Sequence, residues 1–205
     1  MTIDLAEAKD VVLSVEKTLL SRFFQLLGQG VYLEVQVGCS LKDLLCNQLG
    51  IASEYLDNRI QTIFLNAKPV DAVAEAMTGP GATIALSAAM PGLVGAVMRK
   101  GGQYATLRQS ISHGPSAECP AAEKGRVRLK LFNLVAAELG PAFLSRGVGL
   151  RGEDWHDFLR RHAEALAGGC VGFHVDGKPV ALPESVERDW RDVAVLLTVV
   201  SAGDL

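Results

Sequence analysis

The chain has 205 residues, 49% hydrophobic and 21% charged, with a formal net charge of −3 and an isoelectric point near 5.8. That balance is ordinary for a soluble globular protein of one large or two small domains, and it gives no electrostatic case for a nucleic-acid partner. Four cysteines, Cys39, Cys46, Cys119 and Cys170, show no C-x-x-C spacing, and Met1-Thr2-Ile3-Asp4 lacks a basic, apolar leader. They read as reduced thiols in a cytoplasm. The longest weakly polar run, Ile84 to Met98, is broken by Pro91 and is too short to span a bilayer, so no membrane partner is expected.

Val12, Val15, Leu19, Phe23 and Leu26 recur at three- and four-residue intervals and predict an N-terminal helical segment over 1–30. The β-branched pair Val11-Val12 makes a strand over 11–16 its rival. Val31 to Val37 alternates with period two and predicts a half-buried strand. Ser40 is suited to cap a short helix with Leu41, Leu44, Leu45 and Leu49 on one face, stopped by Gly50. A strand over Ile60 to Leu65, a turn at Asn66-Ala67-Lys68-Pro69, a turn at Thr78-Gly79-Pro80-Gly81 and a strand over Thr83 to Ala88 follow.

Beyond that strand, Met90-Pro91-Gly92-Leu93-Val94-Gly95 is an apolar tail, and 99–124 reads as linker around Gly101-Gly102 and His113-Gly114-Pro115-Ser116. The stretch from Arg99 to Lys130 collects Arg99, Lys100, Arg108, Lys124, Arg126, Arg128 and Lys130 against Glu118 and Glu123, a basic run whose default reading is a solvated linker. Val127 to Leu131 alternates like a strand with one wet face. A turn or two of helix over Asn133 to Leu139, ended by Gly140-Pro141, and a short strand over Val148 to Arg151 come next. Asp154 is placed to cap a helix with Trp155, Phe158, Leu159, His162 and Leu166 on one face, and Gly168-Gly169 stops it. A strand over Cys170 to Val175, a hairpin-type turn at Asp176-Gly177 and a last strand over Val193 to Val200 complete the chain.

The chain repeats itself. Gly38-Cys39-Ser40-Leu41-Lys42-Asp43-Leu44-Leu45 parallels Gly152-Glu153-Asp154-Trp155-His156-Asp157-Phe158-Leu159. Ile63 to Val70 parallels Phe173 to Val180, and each copy closes with an apolar strand. A period near 110 residues is too long for a solenoid and indicates duplicated domains. The order strand, strand, helix, strand, strand is that of a β-grasp (ubiquitin-like) unit. In Val127 to Leu134, Glu138-Leu139-Gly140, the helix Trp155 to Leu166, Val175 to Val180 and Ser201-Ala202-Gly203, the second copy resembles the MoaD-like and ThiS-like sulfur carriers of molybdopterin and thiamine biosynthesis. The first copy resembles them from about Val31 to Gly95.

The expected fold is therefore α+β: a helical segment 1–30, a first β-grasp-like unit 31–98, a linker 99–124 and a second unit 125–205. In the carriers, the resemblance implies, the chemistry sits at a C-terminal Gly-Gly that must thread a narrow channel. This chain ends Ser201-Ala202-Gly203-Asp204-Leu205 instead, so a processed carrier tail would have to come from Gly101-Gly102.

The expected function is a non-enzymatic interaction protein with a protein partner or a second copy of itself. Its working surfaces are sheet edges and the segment Met90, Pro91, Gly92, Leu93, Val94, and no metal or cofactor is expected. A carrier in cofactor biosynthesis and a small enzyme with a cleft between the copies are the alternatives. His156, flanked by Asp154 and Asp157, aligns with Lys42 at a solvent-face position, and neighbours one and two apart on a helix do not converge. His162 falls on the apolar helix face, and His174 sits in an alternating strand. Zinc at Cys39 and Cys46 would need two further ligands, and His113 with Cys119 has no site-forming spacing. Cys39, following Gly38 near a helix start, is a redox candidate. Gly79-Pro80-Gly81 is followed by a strand and makes no phosphate loop.

Overall fold

The computed structural model describes residues 5–88, 92–103 and 123–203. In chain order its elements are β1 (Lys9–Val15), a 3-10 turn (Lys17–Leu19), α1 (Leu20–Gln29), β2 (Val31–Val37), α2 (Leu41–Asp43) running into a π-turn (Leu44–Gln48), α3 (Ser53–Asn58), β3 (Thr62–Leu65), β4 (Lys68–Pro69), β5 (Thr83–Ser87) and α4 (Gly92–Met98). After these come β6 (Glu123–Phe132), α5 (Asn133–Arg146), β7 (Val148–Arg151), α6 (Gly152–Gly169), β8 (Cys170–Val175), β9 (Lys178–Pro179), α7 (Leu182–Glu187) and β10 (Ala194–Ser201). The protein is α+β.

The N-terminal segment is not one helix. Val11, Leu13 and Val15 are fully buried and alternate with half-buried Val12 and Ser14, which is the pattern of a strand with one face on a core. The helix starts only at Leu20. The intervals joining Val12 to Phe23 arise because a strand's side chains run directly into the first turns of a helix. β6 and α5 have the same form: a strand with Val127, Leu129 and Leu131 inward, then a helix, then a glycine with positive φ before the next strand. Gly30 (φ 114°) ends α1 as Gly147 (φ 91°) follows α5.

The chain forms two compact units that are not consecutive in sequence: residues 1–31 with 137–205, and residues 32–136. This differs from division at 31–98 and 125–205: β1 and α1 lie with residues 137–205, and β6 lies with residues 32–136.

In the unit of 1–31 and 137–205 the strand order is β7-β10-β1-β8-β9. β1 runs parallel to β10, from Lys9 opposite Val195 to Val15 opposite Ser201, and antiparallel to β8, with Leu13 opposite Phe173. β10 is antiparallel to β7, and β8 to β9. Parallel neighbours need a crossover rather than a tight turn; here the two strands come from opposite ends of the chain. Trp155, Phe158, Leu159 and Leu166 of α6 are buried. Phe158 lies 4.9 Å from Phe23 of α1, and Trp155 lies 6.3 Å from both Phe173 and Trp190, centroid to centroid.

In the unit of 32–136 the order is β4-β3-β5-β6-β2. β6 runs parallel to β5, with Ile84 opposite Leu129 and Leu86 opposite Leu131, and β5 is antiparallel to β3. Leu41, Leu44 and Leu45 of α2 and its π-turn, with Leu56 of α3, are fully buried. Ser40 caps α2 through its hydroxyl, which accepts from Asp43 N at 3.1 Å.

Candidate functional site

β6 has two unlike faces. Its odd positions, Val127, Leu129 and Leu131, are buried to 1% exposure or less, so its even positions face the other way. Those positions are Lys124, Arg126, Arg128, Lys130 and Phe132. Lys124 is exposed, Arg126, Arg128 and Lys130 are half-buried, and Phe132 is 38% exposed at the end of the row. Along a strand, same-face residues stand about 6.8 Å apart, so four cations form a regular ladder.

Neighbouring strands complete the face. The register places Thr83 opposite Arg128 and Ala85 opposite Lys130, with Phe64 opposite Ala85 on the far side. On β2, the Arg128 guanidinium lies over the Tyr32 ring at 5.7 Å from the centroid. Arg126 Nη2 approaches Glu34 Oε1 at 3.8 Å, beyond hydrogen-bond length, and Arg126 Nε is buried with no hydrogen-bond partner. An ion pair this loose, with the glutamate largely exposed, contributes little to stability. The linker reading ended at residue 124, but Glu123 and Lys124 already belong to β6.

The residues singled out in sequence fall elsewhere. Met90 and Pro91 lie outside the described residues. Gly92, Leu93 and Val94 begin helix α4, so this part of the tail is helical rather than extended. Gly101 (φ 59°) turns the chain after α4, its N–H donating to Asp71 Oδ1 at 2.9 Å. Gly102 N donates to Arg99 O at 3.1 Å. Just before them, Lys100 N donates to Gln61 O at 2.6 Å and Lys100 Nζ to Leu56 O at 2.8 Å; burial holds that ammonium below the usual lysine range. The diglycine is thus fastened to its own unit up to Gly101.

His156 is buried, not on a solvent face as its alignment with Lys42 suggested, and its Nδ1 has no hydrogen-bond partner. α6, at 18 residues, is longer than α2 with its π-turn, and both Trp155 and His156 are buried on it. His162 lies tilted against Phe158, ring centroids 4.7 Å apart, and shares a 3.2 Å hydrogen bond with Gln25 Oε1. His174 is half-buried on β8 opposite Val12 and Pro179. His113 and Cys119 lie outside the described residues.

Cys39 is held in a local knot: its thiol donates to Gln36 O at 3.3 Å, and Gln48 Nε2 donates to Cys39 Sγ at 3.3 Å and to Gln36 O at 2.9 Å. The π-turn carries Gln48 back to these partners. Burial pushes the Cys46 and Cys170 thiols up. Among the described residues no group of three or more His, Cys, Asp or Glu is placed to hold a metal ion, and no helix is long and apolar enough to cross a membrane.

No protein-family model, no curated protein and no solved structure matches this chain.

Proposed function

We propose that this chain is a non-enzymatic interaction protein made of two tandem β-grasp-type (ubiquitin-like) units that have exchanged leading strands, and that it engages a protein partner through the outer face of β6. The fold reading rests on the order after each second strand: β2 leads through α2 to β3, β4 and β5, and β7 leads through α6 to β8, β9 and β10. The observation that carries the function is β6 itself. A strand that buries three apolar side chains on one face holds four cations and an exposed phenylalanine on the other. A row of cations set on a rigid sheet favours encounter with a complementary surface and fixes its register.

The test is co-purification from the native host, followed by reconstitution from two purified components. The expected result is a complex that Arg128→Glu with Lys130→Glu abolishes while circular dichroism stays native. A reconstituted complex indifferent to both changes refutes this surface, and recovery of the chain itself as partner assigns self-association.

A sulfur-carrier role in molybdopterin or thiamine-type biosynthesis is the second reading, resting on Gly101-Gly102 with Gly101 exposed. It requires cleavage after Gly102 and release from Asp71. Intact mass of the protein from its own host decides it: a fragment ending at Gly102 with oxygen exchanged for sulfur supports the carrier, and one full-length unmodified mass removes it.

A further inference from the structure

We infer that residues 181–193 form a strap over the start of α6, which opens while the sheet beside it stays folded. The strap runs from the end of β9 through α7 to β10, apart from β6, so the inference stands without the reading of that face.

The strap is bonded to itself. Ser185 N donates to Ala181 O, Arg188 N to Glu184 O and Val193 N to Trp190 O, each at 3.1 Å. The Trp190 indole donates to Ser185 O at 2.8 Å. The Arg191 N–H and guanidinium both donate to the Asp189 carboxylate. Among the described residues, no hydrogen bond ties 181–192 to α6 or to the sheet. Lifting the strap therefore breaks none. Once lifted, α7 has only six residues, too few to stand alone in water, and its amides are released. β10, the next element, is held on both sides, by β1 and by β7.

Charge adds little across the seam. His156 acts on Asp189 and Asp157 on Arg191, but Asp189 and Arg191 are exposed and pair with each other at 2.6 Å. Water screens such groups. What remains is apolar cover. Within 181–193 only Ser185 and Trp190 are buried. Trp190 is the anchor, edge-on to Trp155 with ring centroids 6.3 Å apart.

Ser185 works against that anchor, because its hydroxyl is buried with no hydrogen-bond partner. Two more such atoms, Trp155 Nε1 and His156 Nδ1, sit on the first turns of α6, near the point where Trp190 and Val193 cross Gly152. A buried polar atom without a partner forfeits its hydration. The closed strap thus rests on one large side chain and carries an unmet hydroxyl inside the seam. A segment so held opens below the free energy of global unfolding. Its internal bonds make it yield as a whole, not residue by residue.

Amide hydrogen exchange of the full chain, followed by NMR across a urea series below the unfolding transition, tests this. The amides of Arg188 and Val193 are expected to exchange at least about tenfold faster than those of Leu197 and Val199 in β10. Their exchange is expected to rise less steeply with urea, because opening a strap exposes less surface than unfolding does. Ser185→Ala removes the unmet hydroxyl and is expected to slow the strap amides about tenfold. Strap and β10 amides that share one rate and one urea dependence overturn the inference, since the strap then opens only with the whole fold. Strap exchange that is unchanged or faster in Ser185→Ala overturns it as well, because the hydroxyl then does not oppose closure.

Discussion

Asn66 and Asp176 open equivalent turns but hold different strands. Asn66 exchanges two hydrogen bonds with Thr83, its N donating to Thr83 O at 2.8 Å and its Oδ1 accepting from Thr83 N at 2.9 Å. Thr83 begins β5. Asp176 makes the same pair of bonds with Asp10, at 2.8 Å and 3.1 Å, and Asp10 belongs to β1, far away in sequence. The place beside the third strand is thus filled by β5 in one unit and by β1 in the other, with chain direction conserved. β1 runs parallel to β10, and β6 parallel to β5.

The residue after each of these two also differs, and a stability change follows. Both turns place two residues at positive φ: Asn66 (50°) with Ala67 (63°), and Asp176 (50°) with Gly177 (74°). This is the two-residue hairpin geometry whose twist suits the flanking strands. Glycine adopts it without strain, and alanine does not. Ala67→Gly is expected to stabilise the protein by about 0.5–1 kcal/mol, and Gly177→Ala to destabilise it by about 1 kcal/mol. Urea unfolding midpoints at constant m-value check both; a destabilised Ala67→Gly removes the strain argument.

Asp176 also predicts a pH dependence. Its carboxylate accepts from Lys9 Nζ at 2.8 Å and from Asp10 N, and these hydrogen bonds hold its pKa below the ordinary aspartate value. A carboxyl depressed in the folded state binds fewer protons there than in the unfolded state. It therefore stabilises the fold above the unfolded value of about 3.9, and this is lost as pH falls through the lower folded value. Asp176→Asn is expected to be less stable than wild type at neutral pH, with the gap closing in acid. Paired urea titrations at neutral and acid pH read this directly, and a gap independent of pH contradicts it.

His162 has the same sign in a different window. Burial, then the charges of Arg22 and Arg161, lower its pKa. The unfolded chain consequently binds the extra proton first. The stability His162 contributes is full above about pH 6.5 and is lost as pH falls from there through the folded value. His162→Gln keeps an amide within reach of Gln25 and removes the titration. The variant is expected to flatten the stability profile below about pH 6.5. An NMR titration of the imidazole checks the assignment, and a folded value at or above the ordinary one refutes it.

Much of this architecture is legible in the residues because it is local. Val31 to Val37 alternates and is a strand; Asp176-Gly177 is a turn signal and is a turn; Trp155, Phe158 and Leu159 share a helical face and are buried together. What is not legible is which strand lies beside which. Nothing in Val11, Leu13 and Val15 says that their neighbours are Val175, Phe173 and Leu197, because a buried apolar face suits any sheet. The basic face of β6 was visible only in part. Counted along the chain, its cations merge with Arg99, Lys100 and Arg108 into a charged stretch; counted by alternation from Lys124, they separate into one row.

The aligned glycines Gly38 and Gly152 show the same limit and give the sharpest stability prediction. Gly38 needs its backbone freedom, with φ at 82°. Gly152 needs the absence of a side chain: a Cβ there would land on the carbonyl groups of Trp190 and Val193, where the chain crosses the start of α6. That crossing is fixed from within. The Trp190 indole is fully buried and donates to Ser185 O at 2.8 Å, and Val193 N donates to Trp190 O at 3.1 Å. Backbone pinned at both ends cannot retreat from a methyl group. Gly152→Ala is expected to cost about 3 kcal/mol or more. Gly168→Ala, near the other end of α6 with nothing within 4 Å of the added carbon, is expected to be neutral or to gain up to about 1 kcal/mol from helix propensity. Thermal unfolding of the pair separates the two effects. Equal midpoints would mean that the 190–193 segment yields, and Trp190 fluorescence would then shift in Gly152→Ala alone.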